Sequence, residues 1–237
     1  MPSTGKDGTD QVPDYSSFAA AFKLEDVTGL LSGDLETGLN VCVECCDRWA
    51  ETDSIALNWE GADGTSSSHS FAELQEGAAR FANLLTAQGV RPGDHVACML
   101  PRIPDLFVVA LGVWRAGAVY VPLFTAFGPK AIEYRLERSA ASLVVTDAVN
   151  RGKLDGIAHA PPVMVVTRAP DEAVRPGDID FRQALAAQPA EFTPVMLTAE
   201  DPFIMMFTSG TVGSAKGVAV PLKALPGFLV YMKYCIG

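Results

Sequence analysis

The sequence lacks the marks of proteins that bind nucleic acids, cross membranes or enter the secretory route. It has 18 basic against 28 acidic residues, a net charge of -10, whereas a nucleic-acid-binding face is basic. The longest apolar run, residues 106–114, is far shorter than a membrane span. Residues 1–17 are polar and contain no apolar core of a secretory signal. We therefore expect a cytoplasmic protein with no nucleic-acid partner and no membrane span.

Cysteine is scarce and its number is odd, at five, which argues against a disulfide framework. Cys42, Cys45 and Cys46 lie close enough in the sequence to suggest a metal site. At helical spacing, however, they share one face with Trp49, and a free cysteine behaves as a small apolar residue. The nearest histidine is His69, so no fourth ligand is at hand. We expect a buried helix face and assign no metal ligand.

Residues 40–89 predict a helix, a hairpin and a second helix. Asn40 suits the N-cap of a helix that runs through residue 49. The segments IALNWE and TSSSHS, joined by GADG, predict the hairpin. Ser70 and Glu73 have the spacing of a capping box, in which each side chain satisfies a backbone donor. Apolar residues then recur at steps of three and four until the helix ends at Gly89.

The remainder alternates between apolar strands and helices. The predicted strands are HVACML, AVYVPL, SLVVTD, PVMVVT and FIMMF, and the predicted helices cover about 104–115, 129–139 and 180–187. Strands that are apolar on both faces indicate an α/β fold with a parallel sheet flanked by helices. We predict a mobile N-terminal arm at 1–35, a first α/β subdomain at 36–195, and at 196–237 the first strands and helix of a second α/β subdomain.

The segment FTSGTVGSAKGV, residues 207–218, has the composition of a phosphate-binding loop. Glycines let backbone N–H groups converge on a phosphate, hydroxyls add donors, and a lysine adds positive charge. A Walker loop is disfavoured because Lys216 is followed by the β-prone VAV and not by a helix. The segment therefore joins two strands, which we expect to be antiparallel. A glycine-rich hairpin loop without a ligand is the alternative.

The same segment resembles the phosphate-loop signature of the adenylate-forming superfamily, Y/F-T-S-G-T-T-G-x-P-K-G-V. Further blocks resemble successive parts of that family in order, from about residue 38 onward: NVCVECCDRWAE, GVRPGDHVACMLPRIPDL, RAGAVYVPLFTAFGPKAIEYRLERS and GVAVPLKAL. Within the superfamily they look most similar to AMP-forming acyl-CoA synthetases of the acetyl and medium-chain kind.

The resemblance implies an ATP-dependent acid–thiol ligase of fatty-acid metabolism. Such enzymes convert a small carboxylic acid and ATP, with Mg²⁺, into an acyl-adenylate, and then transfer the acyl group to CoA. By similarity, the residues that hold the nucleotide phosphates are Thr208, Ser209, Gly210, Thr211, Val212, Gly213, Lys216 and Gly217. Val212 and Ala215 depart from the family's threonine and proline. Pro226 falls where a helix continues, so that helix either starts later, with Pro226 in its first turn, or is distorted.

The resemblance also implies a truncated N-terminal domain, since family members are more than twice as long. The adenine- and ribose-binding segments and the mobile C-terminal domain with its reactive lysine would follow. We therefore assign no catalytic residue and expect the chain alone to be inactive. A non-catalytic nucleotide-binding fragment, or a degenerate remnant of such an enzyme, is the alternative. Arg151 and Lys153 lie near the place where some relatives contact CoA, with plain surface charge as the competing interpretation.

Overall fold

A computed structural model describes residues 14–23, 25–168, 172–208 and 215–233. The helices are α1 Tyr15–Ala21, α2 Glu25–Thr28, α3 Val41–Cys45, α4 Phe71–Ala87, α5 Pro104–Arg115, α6 Pro129–Ser139, α7 Ala148–Arg151, α8 Phe181–Ala186 and α9 Leu225–Tyr231. The strands are β1 Ile55–Glu60, β2 Ser66–Ser70, β3 His95–Met99, β4 Val119–Pro122, β5 Leu143–Asp147, β6 Val163–Val166, β7 Ile179–Asp180, β8 Pro202–Thr208 and β9 Lys216–Pro221.

The chain divides into two compact units. One comprises residues 32–223 and contains the sheets, and the other comprises residues 1–31 together with 224–237. In the second unit α2 and α9 contact each other. Pro226 lies in the first turn of α9, where the missing N–H of proline breaks no helical hydrogen bond. This confirms the alternative in which the helix starts late enough to accept the proline.

Within the described residues, seven strands of the larger unit form one sheet in the order β7-β6-β5-β3-β4-β8-β9. All neighbours pair in parallel except β9, which runs antiparallel to β8. The parallel sheet flanked by helices is therefore confirmed, and so is the antiparallel pair around the glycine-rich segment. The predicted division near residue 195 stays a prediction. In the structure β8 extends the same sheet beside β4.

The sheet is covered on both faces, and its central strands are mostly apolar and buried on both sides. One core contains Phe81 of α4, Val113 of α5 and Phe181 of α8. The opposite core contains Ile132 and Leu136 of α6. Consecutive residues of each central strand alternate between these two cores, as the pleat of a strand requires. Continuous apolar strands in the sequence are thus explained by burial on both sides.

The predicted hairpin and the helix after it are also confirmed. Strands β1 and β2 pair antiparallel as a separate two-stranded sheet. The Ser70 hydroxyl accepts from the Glu73 N–H at 3.1 Å, and the Ser70 N–H donates to the Glu73 carboxylate at 2.8 Å. The capping box therefore starts α4 at the predicted position.

The prediction of a single helix through residue 49 with its cysteines on one face was wrong. Cys46 has φ -131° and ψ -63°, so α3 ends at Cys45 and a short 3₁₀ turn follows at Asp47–Trp49. Cys42 and Cys46 are buried, but Cys45 is exposed and Trp49 is 46% exposed. In the described residues, no group of three or more His, Cys, Asp or Glu side chains could hold a metal ion.

A buried ion pair lies directly after this break. Arg115 Nη1 at the end of α5 donates to both Asp47 carboxylate oxygens, at 2.8 and 2.6 Å. The two side chains are only 8% and 12% exposed. Asn40 caps α3 as predicted, since its Oδ1 accepts from the Cys42 N–H at 2.9 Å. Its Nδ2 also donates to the Val195 carbonyl at 2.8 Å, which joins α3 to the segment that precedes β8.

The predicted mobile arm at 1–35 stays a prediction. Residues 1–13 and 24 lie outside the described residues. Near the end of that range the Ser32 and Gly33 N–H groups donate to the Glu44 carboxylate at 2.9 and 2.7 Å. Among the helices of the described residues, none combines the length and apolar character needed to cross a membrane.

Candidate functional site

The glycine-rich segment connects the carboxyl end of β8 to the start of β9. Thr208 and Lys216 are directly opposite each other in the antiparallel ladder. Because β8 runs parallel to β4, the segment leaves the sheet at its carboxyl edge. Ligands of open α/β sheets bind at this edge, so the location suits a phosphate-binding loop.

Only the two ends of the predicted site belong to the described residues. The predicted site residues outside them are Ser209, Gly210, Thr211, Val212 and Gly213. Thr208, Lys216 and Gly217 are described, and all three are exposed. Within the described residues Lys216 forms no ion pair. No carboxylate of the described residues therefore competes with an anionic ligand for its ammonium group.

Gly217 has a packing role next to its predicted binding role. A Cβ placed on it would lie 2.9 Å from Met205 Cε and 3.2 Å from Phe207 Cε1. Both side chains belong to the neighbouring strand β8 and face the core that contains α6. Glycine at 217 therefore lets these two side chains lie against the backbone of β9.

Helix α6 contacts both strands at the base of the segment. The Tyr134 hydroxyl donates to the Ala215 carbonyl at 2.8 Å. The Arg135 guanidinium lies over the rings of Phe127 and Phe207, 4.0 and 5.5 Å from their centroids. Sequence reasoning missed Tyr134 and Arg135. Tyr134 and Ala215 are 81 positions apart, and no local pattern in α6 points to the glycine-rich segment.

Arg151 and Lys153 are held by internal contacts. The Arg151 guanidinium donates to both Asp178 carboxylate oxygens at 2.7 and 2.9 Å, and these hydrogen bonds raise the pKa of Arg151 above its ordinary value. Lys153 Nζ donates to the Thr125 carbonyl and, at 2.8 Å, to Asn150 Oδ1. Both side chains are part-buried and pair with neighbouring groups of this chain, so the interpretation as surface charge stays a prediction. A role in contacting CoA stays a prediction.

A groove of about 660 Å³ lies beside the β1–β2 hairpin. Trp59, Ile103 and Val108 give it apolar walls, and Arg168 and Arg182 are among its charged lining residues. Arg168 Nη2 contacts the Asp147 carboxylate and Arg182 Nη2 the Asp105 carboxylate, at 3.1 and 3.0 Å. Both cations are therefore already paired, and the groove offers an anion no free positive charge from either arginine.

Comparison with known proteins identifies the family. The profile described as AMP-binding enzyme matches residues 46–235. The acetyl-coenzyme A synthetase of Streptomyces avermitilis is 35% identical over 219 residues, which cover 83% of this chain and 32% of that protein. That of Syntrophobacter fumaroxidans is 33% identical over 228 residues, or 86% of this chain and 35% of that protein.

Solved structures agree with this assignment. The acyl-CoA synthetase of Brucella canis superposes with a TM-score of 0.89 at 46% identity, covering 92% of this chain and 40% of that chain. Apo MatB from Rhodopseudomonas palustris has a TM-score of 0.69 at 27% identity, covering 84% and 38%. The chain thus spans about a third of the length of the curated relatives it matches. The predicted family is confirmed: the chain belongs to the AMP-binding enzymes.

Proposed function

We propose that the chain is the phosphate-binding part of an AMP-forming acyl-CoA synthetase. Such an enzyme joins a carboxylic acid to ATP and passes the acyl group to CoA. Membership of the AMP-binding family supports the proposal. The observation that carries it is the position of Lys216, unpaired within the described residues and opposite Thr208 at the carboxyl edge of the sheet.

The reaction needs positive charge at this position. A carboxylate is a poor electrophile, and its activation by ATP releases pyrophosphate, whose negative charge must be stabilised as the bond to it breaks. Lys216 supplies a compact positive charge, and Thr208 supplies a hydroxyl donor. Ser209, Gly210, Thr211, Val212, Gly213 and Gly217 remain the other proposed phosphate contacts. We assign no catalytic acid, base or nucleophile to this chain.

The described residues suit Mg²⁺ as a partner of the nucleotide. In the described parts no cluster of metal-ligating side chains exists, and Mg²⁺ is commonly held by substrate phosphates with few protein ligands. We therefore propose that it enters as MgATP. The carboxylic acid and CoA are the proposed co-substrates, and the proposed location is the cytoplasm.

Nucleotide affinity tests the phosphate-binding role. Titration of the 237-residue chain with MgATP in a calorimeter should show saturable binding. Lys216→Ala removes a charged hydrogen-bond donor, whose contribution of about 1.5–3 kcal/mol corresponds to roughly 10- to 150-fold weaker binding. Lys223→Ala is the matched control, because Lys223 follows β9 and its ammonium is 2.7 Å from the exposed Glu200 carboxylate. Absence of MgATP binding, or equal losses in both variants, would contradict the proposal.

Turnover is a separate question. We predict that the chain alone binds MgATP without catalysing acid-dependent exchange of labelled pyrophosphate into ATP. The assay uses acetate and medium-chain acids in parallel. Exchange above the no-enzyme background would disprove the predicted inactivity while supporting the enzymatic assignment.

A further inference from the structure

The hydrogen bond between Tyr134 and Ala215 lies directly before Lys216 in the chain. Its acceptor is the carbonyl group of the peptide bond that links Ala215 to Lys216. The donor, on α6, is partly buried, and the two atoms are 2.8 Å apart. The bond therefore restrains the last peptide plane before the Lys216 side chain, the group proposed to bind phosphate.

The residue at position 215 makes that restraint necessary. The signature that the segment resembles has proline there, and a proline ring fixes φ near -65° without help from any other residue. Alanine leaves φ free, so the chain before Lys216 samples more conformations unless another contact limits it. Tyr134 supplies such a contact from a helix whose apolar face is anchored by Ile132 and Leu136 in the core.

Arg135 extends the same support to the other strand. Its guanidinium lies over the ring of Phe207, the residue that precedes Thr208 in β8. Its Nη1 donates to the Ala131 carbonyl at 2.8 Å. Its Nε is buried and has no hydrogen-bond partner in the described residues. Stacking on the aromatic rings and the Nη1 hydrogen bond hold the guanidinium. Helix α6 thus contacts β8 through Phe207 and the residue before β9 through Ala215.

We propose that Tyr134 is a positioning residue for Lys216: its hydrogen bond to the Ala215 carbonyl replaces the restraint that proline gives in the resembled signature. The inference rests on the proposed phosphate-binding role of Lys216. It predicts an energetic coupling between positions 134 and 215, which a merely structural tyrosine would not show.

A double-mutant cycle tests the coupling. Tyr134→Phe, Ala215→Pro and the double variant are compared with the natural chain for MgATP affinity and for amide hydrogen exchange at residues 216–218 without nucleotide. Tyr134→Phe should weaken MgATP binding about threefold to tenfold, the equivalent of one neutral hydrogen bond. It should also speed exchange at residues 216–218. In the Ala215→Pro background the same substitution should change affinity less than twofold.

The controls separate positioning from general stability. Tyr120→Phe removes a buried hydroxyl from β4, in the core on the opposite face of the sheet, and should leave exchange at 216–218 and MgATP affinity unchanged. Unchanged exchange at 216–218 in Tyr134→Phe, or equal effects of Tyr134→Phe in both backgrounds, overturns the inference. If the natural chain binds no MgATP, the proposed function fails, and the exchange measurements alone then decide whether Tyr134 restrains this segment.

Discussion

The buried pair of Arg115 and Asp47 gives the sharpest prediction about stability. The perturbation is Asp47→Ala, which leaves the Arg115 guanidinium, 8% exposed, without its carboxylate. Arg115 Nε keeps its 3.2 Å hydrogen bond to the Phe192 carbonyl, but a carbonyl carries no compensating charge. Breaking a buried ion pair on one side costs about 3–5 kcal/mol, and we expect a loss of that size.

The assay is urea unfolding followed by circular dichroism, with melting temperature as a second measure. For a chain of this size each kcal/mol lowers the melting temperature by about 2–4 °C, so the expected drop is roughly 6–20 °C. Glu200→Ala is the matched control: it also removes one carboxylate from an ion pair, but that pair with Lys223 is exposed. It should cost at most about 1 kcal/mol.

A double variant distinguishes a charge effect from loss of packing. Asp47→Leu combined with Arg115→Met removes both charges and keeps apolar volume. The double variant should therefore lose less stability than the sum of the losses measured for Asp47→Leu alone and Arg115→Met alone. Additive losses would refute the role of the pair. So would an Asp47→Ala loss no larger than that of Glu200→Ala.

Two further predictions concern α6 and the cysteines. Ala140 ends α6 with φ 46° and ψ 45°, a left-handed conformation that suits glycine better than alanine. The left-handed penalty of alanine, less the larger unfolded-state entropy of glycine, predicts that Ala140→Gly raises the unfolding free energy by about 0.5–1 kcal/mol in urea; a decrease would contradict this. Burial raises the pKa of Cys46 and of Cys98 to about 12 and also raises that of Cys45, so accessibility decides the order of labelling, and only Cys45 of the three is exposed. Iodoacetamide at pH 8 should alkylate Cys45 before either of the other two, as peptide mass spectrometry would show; faster labelling of Cys98 would refute the predicted order.

The sequence predicted those elements whose signals are local. A capping box needs only Ser70 and Glu73, three positions apart, and the helix after it follows from apolar residues at steps of three and four. Strands buried on both faces appear as continuous apolar runs, which is why β3 to β6 were predicted correctly. The glycine-rich segment was placed between two strands by the apolar residues on either side.

The same local signals explain the error at the cysteines. Helical periodicity in residues 42–49 predicts one continuous apolar face. A local pattern of this kind carries no information about a distant partner for Asp47. Arg115 lies 68 positions away, and its guanidinium pairs with the Asp47 carboxylate in the 3₁₀ turn that follows the break. The break at Cys46 thus coincides with a long-range contact that the local pattern does not contain.

By itself, the sequence determined the longer helices, the central strands in their chain order and the double-sided burial of the sheet, because hydrogen bonding and burial within one element follow from its own residues. Only the tertiary structure decided the order of strands in the sheet and the contact of α6 with the loop. Tyr134 and Ala215 meet because β4, α6 and β5 form one crossover while β8 adds beside β4. Their contact depends on how the elements pack together, and the local sequence around either residue does not specify that packing.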